Sequence, residues 1–348
     1  MKIATEDFNR LASAAASVAD DKAPNPIARM VRLEAIDGAL TARATDMAYW
    51  LSLRAPCDGG LAPVLVSASK LADVVGKLKA DTIEVAIDAD GLHIKAKGSK
   101  RKLAVHPSDA FPMLPPVGGE PMTLDGGRFK ECLAFCMPFA DPGRTPYDGV
   151  NLSGNAFAAT DGKTMARIEY GKGLDAQSAI FPVALIKAID KIAPDGELTV
   201  RVDRTKASVA WAEGELSGPM IEGTFPDVSR IVPTDADATV TVPTPLLAGA
   251  VASVRALGDG RACIALSIEA SGLTVAARSA DGEATDNIPC TVAGDDRIVG
   301  VNAAYLDRVC KGFGKSDLII GVRGESDAMK FTSDEHADRL AVVMPMRI

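Results

Sequence analysis

Histidine is scarce in this chain, three among 348 residues, and aromatic residues make up only 5%. With few large rings, the cores have to be built from Ala, Val, Leu and Ile. The six cysteines (57, 132, 136, 263, 290 and 310) are scattered and form no CxxC pair. A structural zinc site is therefore not expected, and the thiols read as reduced core residues. Cys132 and Cys136 stand four apart on a predicted helix, which marks a buried face. No run of about 18 apolar residues occurs, and the opening MKIATEDFNR carries acidic residues where a signal peptide has its apolar stretch. The expectation is a cytoplasmic protein with no membrane partner. No Gly-x-Ser-x-Gly elbow, HExxH motif or His/Cys cluster supplies catalytic chemistry. GKT at 162–164 ends like a phosphate-binding loop, but Phe157 stands where the upstream glycine belongs, and the segment lies between predicted strands. No cofactor or metal is expected.

Net charge is -8, which taken alone argues against an ordinary nucleic-acid binder. What the chain does contain is a threefold repeat. The segments beginning at Ser67, Pro182 and Asn302 each open with a predicted helix of about 12–14 residues showing apolar positions at i, i+3, i+4 and i+7. Each continues into a β-rich strand: TIEVAID, ELTVRVD and DLIIGVR. The preceding halves repeat as well. ARMVRLEAIDGALTARATD ends at Asp46, GVNLSGNAFAATD at Asp161 and ACIALSIEASGLTVAARSAD at Asp281. Further helices are predicted over about 5–19, 124–140 and 243–258. The expected class is α+β: three tandem domains over 1–117, 118–238 and 239–348, each with two helices and two small antiparallel sheets. Each is large enough to hold its own core.

Such a repeat suggests closure. Exposed strand edges vanish when sheets pair edge to edge across domains and the array closes. Helices lining the inside at about 10 Å spacing leave almost no hole if there are six. Twelve, from two chains, leave an opening of roughly 28 Å, which admits a B-form duplex. The six predicted helical spans carry twelve basic and seven acidic residues, so the helices hold +5 and the remainder -13. A basic lumen within an acidic exterior would hold DNA topologically and discourage binding outside.

Several segments carry a family likeness. The C-terminal VVMPMRI resembles the closing strand and tail of the β subunit of bacterial DNA polymerase III, the sliding clamp. FPDVSRIVP from Phe225, AATDGKTMA at 158–166, AFPMLPP at 110–116 and GVNAAYLDRV at 300–309 resemble further segments of that family, at matching intervals. The resemblance implies three DNA-clamp domains per chain, a homodimer and a six-domain ring. It implies a processivity factor that is a non-catalytic subunit of the DNA polymerase III holoenzyme, in the cytoplasm and associated with the nucleoid. Its implied partners are double-stranded DNA bound without sequence preference, the polymerase III catalytic subunit, a clamp loader and other proteins carrying clamp-binding motifs.

The resemblance also assigns sites. A pocket for partner peptides would comprise Thr160, Gly162, Lys163, Thr164 and Met165, then Pro226, Arg230 and Ile231, then Ser326, Ala328, Val342, Met344, Pro345, Met346 and Arg347. Methionines suit an adaptable peptide pocket. The family's Gly-His-Arg-Leu reads here Gly162-Lys163-Thr164-Met165. DNA contacts are expected from Lys22, Arg144 and Tyr147 in loops, and from Lys70, Lys77, Lys187, Lys191, Arg308 and Lys311 on or beside helices. The dimer contact is expected to join Leu103 to Ala256 and Leu257. The rival reading is a diverged clamp-like protein–protein scaffold that uses the same pocket without a role in replication.

Overall fold

The computed structural model describes residues 1–172, 174–255, 263–279 and 282–348. Ala256, Leu257 and Asp281, and with them the expected end of one helix, lie outside the described residues. Six α-helices form among the described residues: α1 (Thr5–Val18), α2 (Ala68–Val75), α3 (Gly126–Cys136), α4 (Val183–Ile192), α5 (Thr244–Arg255) and α6 (Ala303–Phe313). α2 is shorter than its apolar pattern predicts, because Gly76, a weak helix residue, closes its last turn. Pro194 follows close behind α4, and Gly314, with φ +66°, caps α6.

The chain divides into two compact units. Unit 1 comprises residues 1–130 and 184–220, and unit 2 comprises 131–183 and 221–348. In unit 1, an eight-stranded antiparallel sheet runs from Leu61–Ser67 through Met30–Ile36, Ala39–Thr45 and Trp50–Pro56. It continues through Gly214–Pro219, Lys206–Trp211, Glu197–Val202 and Met122–Asp125. A four-stranded sheet holds Lys2–Ala4, Thr82–Asp88, Gly91–Ala96 and, on its edge, Ser99–Leu103. The alternating burial of Met30–Ile36 turns Val31, Leu33 and Ala35 inward. Phe8, Leu11 and Ala15 form the fully buried stripe of α1, at the i, i+3, i+7 spacing of one helix face.

In unit 2, nine strands form one antiparallel sheet. It runs Ala176–Pro182, Gly149–Gly154, Ala156–Thr160, Thr164–Glu169, Arg339–Val343, Met329–Thr332, Asp317–Val322, Ala238–Pro243 and Thr291–Gly294. A four-stranded sheet orders Gly282–Ile288, Gly272–Ser279, Cys263–Glu269 and Arg297–Asn302. Phe135 of α3 meets Phe313 of α6 edge to face at 5.7 Å between centroids. The guanidinium of Arg339, only 8% exposed, lies over the Phe135 ring and pairs with Glu131.

Strands from different repeats thus share sheets. Within unit 1, Leu51 pairs with Leu216 across one seam; within unit 2, Met165 pairs with Val342 across the other. The edge-to-edge pairing inferred from sequence is present, and it fuses the predicted small sheets into larger ones. GKT at 162–164 runs from the turn after Ala156–Thr160 into strand Thr164–Glu169, not into the start of a helix.

Candidate functional site

The nine-stranded sheet carries a cavity of about 200 Å³ at its inter-repeat seam. Its walls come from three places. The turn between strands Ala156–Thr160 and Thr164–Glu169 gives Thr160, Gly162, Lys163, Thr164 and Met165; the segment after Phe225 gives Pro226, Asp227, Val228 and Ile231; the C-terminal strand gives Val342 and Met344. Tyr147 completes the lining.

Each wall is held by its own local chemistry. Gly162 has φ +85°, a conformation that disfavours a side chain. The Asp161 carboxylate accepts the backbone N–H groups of Lys163 at 2.9 Å and Thr164 at 2.6 Å. The Thr160 hydroxyl donates to the Thr164 carbonyl at 2.6 Å and accepts from the Gly162 N–H. In the second wall, Phe225 packs with Ala158 and Ile180, and Val228 lies against that cluster. The Ser229 hydroxyl and then its N–H hold the Asp227 carboxyl below its ordinary value, with Arg230 adding to the effect. Ile231 is 48% exposed and Met344 42%, so apolar surface is open at the rim.

Of the residues expected in this pocket, Arg230 stands outside the lining; its side chain is 84% exposed and ion-paired to Asp227. Ser326, Pro345, Met346 and Arg347 line a different cavity, with Ile298, Gly300, Glu325 and Ile348. Ala328 lines neither cavity and is half-buried. The tail is divided because it changes sheets. The Met344 N–H donates to the Lys163 carbonyl at 2.8 Å, whereas the Met346 N–H donates to the Gly300 carbonyl at 2.8 Å.

Tyr147 was expected against DNA and instead forms cavity wall, with the Arg144 guanidinium 4.6 Å from its ring centroid. Asp227 and Val228 were also missed, although both fall inside the FPDVSRIVP segment. Their signal was the Asp-x-Ser spacing that caps a short 3-10 turn, seen in the Asp227 side chain accepting from the Ser229 N–H.

Lys22, Lys70, Lys77, Lys187, Lys191 and Lys311 are exposed. Lys77 lies beyond the end of α2, as Lys79 and Lys315 lie beyond their helices, and Asp125 precedes α3. The helices as formed carry nine basic and six acidic residues, a net +3 rather than +5. Several of these cations are paired: Arg10 with Asp7, Lys130 with Asp195, and both Arg255 and Lys311 with Asp307. Arg308 is committed to Asp161 at 2.9 Å. Leu103 ends the edge strand Ser99–Leu103 and is half-buried.

A larger groove of about 750 Å³ in unit 1 is lined by Arg32, Arg43, Arg54, Asp109 and Glu215 among others. Apolar walls from Phe111, Met113, Leu114 and Trp211 alternate there with these charged groups. Among the described residues there is no cluster of three or more His, Cys, Asp or Glu side chains able to hold a metal ion, and no helix long and apolar enough to cross a membrane.

A chain of repeated α+β units whose sheets run across repeat boundaries, with an apolar cavity at one seam, has the architecture of a clamp. Residues 1–115 match the family model for the N-terminal domain of the DNA polymerase III beta subunit. The beta sliding clamp of Treponema pallidum is 25% identical over 363 residues, covering 98% of both chains. That of Chlamydia muridarum is 24% identical, covering 99% of this chain and 98% of its own. The beta subunit structure from Streptococcus pyogenes superposes with a TM-score of 0.92 at 17% identity, covering 100% of this chain and 99% of its own. A sliding clamp from Pseudomonas aeruginosa bound to griselimycin gives 0.92 at 21% identity, with the same coverage. Over nearly its whole length the chain is similar to beta sliding clamps, and its fold is that of DNA polymerase III beta subunits.

Proposed function

We propose that the chain is a DNA polymerase processivity factor: two copies close into a six-domain ring around duplex DNA, and the seam cavity of each receives peptides from polymerase and other replication or repair proteins. The observation that carries this reading is the cavity itself. Three separate segments that resemble the clamp family line it together, and its apolar rim suits a short hydrophobic peptide. The clamp tethers; it performs no bond chemistry. A polymerase held at the template rebinds within its tether rather than from solution, which raises its effective concentration.

The three domains are taken as 1–117, 118–238 and 239–348. The middle one gives four strands to each large sheet, which is why the compact units divide within it. The ring works in the cytoplasm at the nucleoid, with a clamp loader opening it. Contacts to DNA come from exposed lysines such as Lys70, Lys187 and Lys191, and they reach phosphates without reading sequence. The dimer joins the edge strand ending at Leu103 to the partner's third domain.

The test is retention on nicked circular DNA. The loaded clamp stays on the circle and leaves once it is linearised; equal retention on both forms would overturn the topological reading. A scaffold without a replicative role would bind peptide and leave polymerase processivity unchanged.

A further inference from the structure

Asp161 does more than close a turn. One carboxylate oxygen accepts the backbone N–H groups of Lys163 and Thr164, and so shapes the first cavity wall. Its backbone carbonyl accepts from Arg144 at 3.3 Å, and Arg144 in turn stacks on Tyr147, the ring that completes the lining. The other carboxylate oxygen accepts from Arg308 of α6 at 2.9 Å. The Asp161 side chain is only 12% exposed and that of Arg308 32%, so this pair is shielded well beyond the ion pairs on the open surface. Arg308 comes from 147 positions away in sequence and is not itself part of the lining.

We propose that Arg308 is a positioning residue of the peptide pocket: by holding the Asp161 carboxylate it fixes the 161–164 turn and the Arg144–Tyr147 stack in the shape that accepts a peptide. The proposal rests on the pocket reading given above. It also removes Arg308 from the DNA contacts, since its guanidinium is engaged within the protein. Without the arginine, Asp161 keeps its two backbone partners but loses the contact that orients its plane. Turn and stack then sample other arrangements, and the peptide-competent one becomes a fraction of the population.

The probe is griselimycin, titrated calorimetrically into the full-length protein. Arg308→Gln keeps a polar, hydrogen-bonding side chain and removes the charge, Arg308→Lys restores the charge, and Asp161→Asn keeps an acceptor for the backbone N–H groups while breaking the ion pair. The expected result for R308Q is affinity about three- to tenfold weaker, with R308K recovering most of the loss. The double variant R308Q/D161N should be no weaker than the worse single variant, as befits two residues acting as one unit. The backbone amide resonances of Lys163 and Thr164 should shift in R308Q while the melting transition stays cooperative, a readout that general destabilisation would not give.

Wild-type affinity in R308Q would overturn the proposal. So would a drop of roughly one in the salt slope of DNA binding, which marks a lost phosphate contact. If R308Q does not fold, D161N carries the same comparison. If wild-type protein takes up griselimycin with an affinity that Met344→Ala does not change, the pocket reading itself fails, and the inference with it.

Discussion

Met344 and Met346 are separated by one residue and by a change of sheet. In a straight strand they would share a face, and the family resemblance assigned both to one pocket. Pro345, which offers no N–H, stands between them, and the tail passes from the seam of the nine-stranded sheet to the edge strand Arg297–Asn302. The two methionines should therefore respond differently. Met344→Ala is expected to weaken binding of a hydrophobic peptide in the proposed pocket about tenfold, from lost apolar contact. Met346→Ala should leave it within about twofold and instead loosen the tail, read as faster exchange of the Met346 amide. Equal losses from both variants would show that the tail acts as one wall.

Cys310 makes a second prediction at this scale. Burial, with Asp307 adding to it, pushes its thiol from 9.0 to about 12. Native protein at pH 8 should leave Cys310 unlabelled by a thiol reagent under conditions that modify it in urea. The fold keeps this proton more tightly than the unfolded chain does. Its contribution is thus complete below pH 9 and is lost as pH rises toward 12, visible as a falling denaturation midpoint in that window.

Strands were the most legible elements. TIEVAID, ELTVRV and DLIIGV became strands at the expected residues because period-two alternation of β-branched residues admits little else. Helix ends were less legible, since Gly76 and the turns beyond α2 and α6 outweighed an apolar pattern that ran on. The cavity was legible only through resemblance, and Tyr147 escaped because its place in the wall depends on the Arg144 stack and the 141–148 loop, which no periodicity encodes. The same repeat arithmetic explains why the seam of unit 1 differs. Tyr49 stands 115 positions before Thr164, and its ring lies over Gly218, where an added Cβ would come within 2.5 Å of it. Gly218→Ala is expected to displace that ring and destabilise the protein by about 1–3 kcal/mol, measured by chemical denaturation. The edge strand Ser99–Leu103 is the element to break for assembly. Proline at Arg101 should halve the solution mass from twice 36.2 kDa, if that edge joins two chains.

At the scale of the molecule, charge is unevenly placed: +3 on the helices against -11 elsewhere. Reversing Lys187 and Lys191 together to Glu should lower the salt slope of the proposed DNA binding by roughly two and leave peptide affinity at the seam cavity unchanged. An unchanged slope would place the DNA elsewhere. The two large sheets bear on how such a ring opens. Each seam inside a chain is a ladder of backbone hydrogen bonds in continuous register, four residue pairs long in unit 1 and five in unit 2. Pulled apart, such a ladder resists as a row of rivets loaded together, and its neighbouring strands spread the load. In the ring proposed above, the joints inside each chain would hold and those between chains would part, which leaves an opening partner two gates rather than six.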